Sequence, residues 1–131
     1  MALEKTNQID LRGNEVLATQ FTADRITVAG GTATASAGAA TLNATGGKVT
    51  TESLTTAQNA IYTLTITNSE IAAADRVYAS VANGTNTQGT PMIGRVTPGA
   101  SSVAIQVINK HATAEAFNGT LVVSFDVFKV T

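Results

Sequence analysis

The chain has no cysteine and no tryptophan among its 131 residues. Without cysteine there is no disulfide, no thiolate catalysis and no Cys-ligated zinc, and assembly in a reducing cytoplasm is compatible with that composition. Aromatic residues make up 5% and charged residues 13%, the latter about half the usual share. The net charge is -1 and the Lys and Arg residues form no basic stripe, so the electrostatic footprint of a nucleic-acid binder is missing. No apolar run approaches the ~20 residues that span a membrane. Glu4, Lys5, Asp10 and Arg12 have no apolar stretch between them, so no secretory signal is expected. No nucleic acid and no membrane are therefore expected among the partners.

What remains is a chain of small and branched residues. Hydrophobic residues make up 44%, and with so few aromatics Val, Ile, Leu and Ala have to fill the core. A chain of this length buries roughly 65–70% of its unfolded surface, enough for one core without staples, and reads as a single domain. A weakly charged surface rich in Thr, Ala and Asn suits a protein that lives in an assembly.

Three regions separate along the chain. Residues 1–30 hold a polar arm, Met1 to Asn14, and two expected strands, Val16–Phe21 and Arg25–Ala29, joined by Thr22-Ala23-Asp24. Residues 31–47 are almost entirely Gly, Ala, Thr and Ser, a connecting segment that is either a linker or an extended stretch where another chain comes close. Residues 48–131 are the expected sandwich core. Ile61–Ile66 alternates, with Tyr62, Leu64 and Ile66 on one face and threonines on the other, the period of a half-buried strand. Val77, Ala79 and Val81 share the next apolar face. Met92–Val96 reads as a short strand, Pro98-Gly99 as a type II turn, and Val103, Ile105 and Val107 as the returning strand. After a turn at Asn118-Gly119, Leu121, Val123, Phe125 and Val127 face one way, while Val122, Ser124, Asp126 and Phe128 face the other. Ser69 to Asp75 is expected to form one helical turn. Short strands with turns every 8–12 residues predict an all-β fold, a small antiparallel β-sandwich or jelly-roll-like domain with an extended N-terminal arm.

Residues fit for chemistry are few. His111 is the single histidine and reads as a surface residue bonded locally, with a general base or pH-sensitive contact as the alternative. Nothing in the sequence singles out a pair among the nine carboxylates of the kind that glycosidases use, and no metal-ligand spacing is present. Gly30-Gly31 and Gly46-Gly47 lack the pattern of a phosphate loop. Asp126 reads as a solvated strand residue, with pairing to Arg76 or Arg95 across a subunit interface as the alternative. No catalytic residue, cofactor or metal is expected. Asn83 to Pro91 is expected to be an exposed tip loop, with Asn83, Thr85, Asn86 and Gln88 as candidate contacts.

Several stretches resemble modules of tailed-bacteriophage structural proteins. They are Val49 to Ala57 (Val-Thr-Thr-Glu-Ser-Leu-Thr-Thr-Ala), Tyr62 to Ser69, Val81 to Pro91, Val96 to Ala100 and Asn118 to Phe125. The resemblance spans about Thr34 to Phe128 and leaves out the first 30 residues. Among such proteins, a free-standing chain of this size is most similar to a capsid decoration, or cement, protein. The resemblance implies a homotrimer on the outer capsid surface that contacts the major capsid protein and clamps neighbouring capsomers. The arm, with Leu3, Ile9, Leu11 and Arg12 as candidate contacts, would then reach along the capsid. The alternative is a trimeric fibre or tail tip that binds a host receptor or glycan. A cellular adhesin or carbohydrate-binding module needs exposed aromatics, which are not evident in the sequence.

Overall fold

The computed structural model describes residues 30–130. The arm residues Leu3, Ile9, Leu11 and Arg12 and the expected strands Val16–Phe21 and Arg25–Ala29 lie outside the described residues. Among the described residues eight strands follow one another: β1 (Gly31–Thr34), β2 (Ala39–Thr41), β3 (Gly46–Thr50), β4 (Ile61–Thr67), β5 (Arg76–Asn83), β6 (Pro91–Gly99), β7 (Ser102–Asn109) and β8 (Leu121–Phe128). They form two four-stranded sheets, β1-β3-β8-β5 and β2-β4-β7-β6, packed face to face as a β-sandwich.

The interior follows the period of two. Leu64 and Ile66 of β4, Val103, Ile105 and Val107 of β7, and Leu121, Val123 and Phe125 of β8 are all buried. Fully burying each such side chain stabilises the fold by ~1.5–3 kcal/mol. Val77, Ala79 and Val81 of β5 and Ile93 and Val96 of β6 pack on this core from the sheet edges. Phe117 and Phe125 are its buried aromatics.

Most pairings are antiparallel, but β1–β3 and β2–β4 are parallel. The cause lies in the path of the first four strands, which change sheet at every step. Each crossing reverses the direction of the chain, so two crossings restore it. The Gly/Ala/Thr tract is therefore not a connector outside the sandwich. Residues 31–47 supply β1, β2 and the start of β3, and the expected boundary at residue 48 falls inside β3.

Two local expectations are corrected. Pro98 and Gly99 continue β6, pairing with Val103 and Ser102, and the turn is Ala100-Ser101, with Ser101 at φ 55°. Proline fits here because β6 is an edge strand, whose unpaired side needs no N–H. Ser69 to Asp75 forms successive turns and not a helix. The Asn68 carboxamide accepts the Glu70 N–H at 2.9 Å and the Asp75 carboxylate accepts the Ala72 N–H at 2.8 Å. These side chains offer the backbone partners that compete with a helical ladder.

Candidate functional site

The loop after β5 is tied down along its length. Asn86, expected at an exposed tip, is buried. Its carboxamide donates to Asn83 Oδ1 at 3.0 Å and to the Gln88 carbonyl at 2.7 Å, and accepts the Asn118 N–H at 2.9 Å. Thr85 and Thr120 exchange bonds, as do Thr87 and Asn118. The physical cause is that the loop's own backbone groups need partners, and short amides supply them. Asn83, Thr85 and Gln88 remain exposed, but the loop is a braced corner that joins the two sheets.

Asn109, at the end of β7, anchors the same corner. Its fully buried carboxamide donates to the carbonyls of Thr56 and Glu115 at 3.0 and 2.7 Å. It accepts the N–H groups of Thr90 and His111 at 3.0 and 3.2 Å, so all four of its hydrogen-bonding positions are used. His111 stands next to it, with Nδ1 3.1 Å from Thr90 Oγ1 and Nε2 3.2 Å from Glu115 Oε2. Glu115 Oε2 also accepts the Gly89 N–H at 2.9 Å. This is the locally bonded surface histidine read from the sequence.

Two further carboxylates are structural. Asp75 is buried and accepts from Lys129 Nζ at 2.6 Å, Ala72 N at 2.8 Å and Val130 N at 3.2 Å. The Lys129 hydrogen bond, followed by the Ala72 N–H, holds its pKa below the usual carboxylate value. Glu52 accepts the Gly38 N–H at 2.8 Å and the Tyr62 hydroxyl at 3.0 Å. Burial, then that hydrogen bond, pushes the Tyr62 hydroxyl well above the usual tyrosine range. Among the described residues no three His, Cys, Asp or Glu side chains gather as a metal site would require.

The outer faces of the two sheets are the remaining surfaces. On the sheet β2-β4-β7-β6, Ile61, Ile108 and Met92 stand opposite one another in one row across β4, β7 and β6. Ile61 is 53% and Met92 51% exposed. Gly94, in the β6 bulge, leaves room for Ile108, whose Cδ1 would lie 2.9 Å from a Cβ there. Thr63, Thr65, Ser102, Ala104 and Gln106 continue this face without a charge. Its charged neighbours are Arg95 in the bulge and Lys110 after β7.

The sheet β1-β3-β8-β5 presents a different outside. Thr32, Lys48, Ser124 and Ser80 form one row, and Gly46, Asp126 and Tyr78 the next. Tyr78 and Phe128 are 60% and 56% exposed. Their rings meet edge to face, centroids 5.5 Å apart at 85°. Asp126 is exposed and, among the described residues, makes no ion pair with Arg76 or Arg95. The sequence reading missed this aromatic pair as a surface feature, although the alternation of β8 places Phe128 outward with Asp126. Comparison with protein-family models, with curated proteins and with solved structures finds no match to this chain.

Proposed function

We propose that this chain is a structural, non-catalytic virion protein that binds the outer surface of an assembled phage capsid as a trimer and bridges neighbouring capsomers. The observation that carries it is the aliphatic row Ile61, Ile108 and Met92 on a sheet face otherwise made mostly of Thr, Ser, Ala and Gln, with Arg95 at the β6 bulge beside it. Such a patch contributes little to the fold while exposed and gains free energy when another protein surface covers it. The virion assignment rests on the sequence resemblance, and the low surface charge fits permanent residence in an assembly.

Attachment of this kind stabilises by linkage. A trimer that binds only the assembled shell lowers the free energy of that shell by its binding energy. Three weak contacts acting together hold far more tightly than one. The site would span several capsid subunits and so exist only on the finished lattice.

Copy number on the particle and head stability test the reading together. A cement role predicts copies over the whole shell, and heads lacking the chain should release DNA at lower temperature. Unchanged head stability counts against it. A few copies confined to the tail, with adsorption lost on deletion, would establish the fibre role instead.

A further inference from the structure

The sheet β1-β3-β8-β5 carries an open trough of about 630 Å³ on its outer face. Its floor is backbone, because Gly30, Gly46 and Gly47 bring no side chain to it. Side chains do not fit there without displacing others. A Cβ on Gly46 would lie 2.7 Å from Asp126 Oδ1 and 3.1 Å from the Phe125 carbonyl oxygen. The Asp126 carboxylate therefore leans over β3 into space that Gly46 leaves free. Lys48, Thr32 and Ser124 line the same trough. On the far side of Asp126, in direct register, stands Tyr78.

We propose that this trough and the Tyr78 ring together form a binding site for a neutral oligosaccharide. The chemistry of the lining selects that class. A sugar ring offers an apolar C–H face to an exposed aromatic and hydroxyls at its edge to polar groups. Tyr78 supplies the aromatic face, and its T-shaped contact with Phe128 limits its motion, so little side-chain entropy is lost on binding. Asp126 accepts hydroxyl hydrogens, Lys48 donates to hydroxyl oxygens, and Thr32 and Ser124 do either. Lys48 and Asp126 leave the trough itself close to neutral, with Arg76 on the same face one row beyond Tyr78, which suits a polar, uncharged ligand in the trough. An anion would meet the Asp126 carboxylate, and a bare cation would find one carboxylate where it needs several. A fatty chain would leave these polar groups without partners. Gly46 lies two strand spacings, about 10 Å, from Tyr78 across Asp126, so a ring stacked on Tyr78 reaches the trough only through further linked sugars. This inference goes beyond capsid attachment and does not depend on it, since the aliphatic row lies on the opposite face.

The test is an amide-resolved NMR titration of the full chain with maltohexaose, cellohexaose, chitohexaose and a mannan hexasaccharide. At least one should shift the amides of Gly46, Gly47, Asp126 and Tyr78 saturably. Tyr78→Ala should weaken that binding about tenfold or more. Tyr78→Leu, which keeps an apolar side chain without the ring, should weaken it similarly. Met92→Ala on the other face should leave it unchanged. No shift at these residues with any of the sugars at about 10 mM, a concentration that reveals even millimolar sites, overturns the proposal. So do shifts that survive in both Tyr78 variants, or protection of the trough by self-association of the chain.

Discussion

The sheet β1-β3-β8-β5 turns Thr32, Lys48, Ser124, Asp126, Tyr78 and Phe128 to solvent, whereas its partner turns out Ile61, Ile108 and Met92 among Thr, Ser and Gln. The inner faces are alike, both made mainly of apolar residues at every second position. The difference arises outside the core, where alternation leaves each side chain free to vary without cost to the fold. One face has relief, charge and aromatic rings, the features of a surface that selects a polar ligand. The other carries the aliphatic row Ile61, Ile108 and Met92, the kind of patch that gains when another protein covers it. On the two proposals made above, a single sandwich would hold to an assembly with one side and sample its surroundings with the other.

The strongest way to break this contrast is to remove what the faces share. Phe125→Ala empties a buried site beneath the first sheet and should cost ~3–5 kcal/mol in urea unfolding, taking both faces together. A loss below about 1 kcal/mol would show that the sheets are supported independently. Asn109→Ala strands up to four backbone groups at the β7 corner and should cost ~2–3 kcal/mol. Here the contrast sharpens. Hydrogen exchange should quicken at the Thr90 and His111 amides while the trough around Gly46 stays protected.

Acid should act on the other side. Asp75 holds the segment after β8 through Lys129 and Val130, and its pKa is depressed in the folded state. Its contribution is fully present above the ordinary value of 3.8 and is lost as pH falls through the lower folded value. Thermal midpoints should therefore hold steady at mild acidity and decline below that range, and Asp75→Asn should flatten the decline. The smallest expected effect on the fold is that of Met92→Thr. Stability should change by no more than ~0.5 kcal/mol, while on the proposed reading the variant should bind more weakly than the parent chain to heads that lack it. A strongly destabilised Met92→Thr variant would mean that the row belongs to the core.

The sequence makes β4, β7 and β8 legible because large apolar residues recur at every second position around Leu64, Ile105 and Val123. The tract 31–47 resists the same reading. Glycine and alanine bear no alternating pattern, so β1 and β2 show themselves only through pairing with β3 and β4. Pro98-Gly99 looks like a turn by local chemistry, yet Val103 and Ser102 capture both residues as strand. Asn86 looks like an exposed amide, and its burial follows from backbone groups contributed by residues more than thirty positions away. The trough is unreadable for the same reason. Gly46 and Asp126 lie far apart in the chain, and only the β3–β8 register joins them.

Strand order has one more effect, on how the molecule is made. β8 is the last of the eight strands to be synthesised, yet it lies inside its sheet between β3 and β5. Until Leu121–Phe128 has left the ribosome, β3 and β5 have no common neighbour, and this half of the sandwich waits as unpaired edges. Most of the pairings join distant segments, a topology that folds slowly. Folding of this sheet therefore turns on a single closing event, when one late strand slots between two that have been waiting for it.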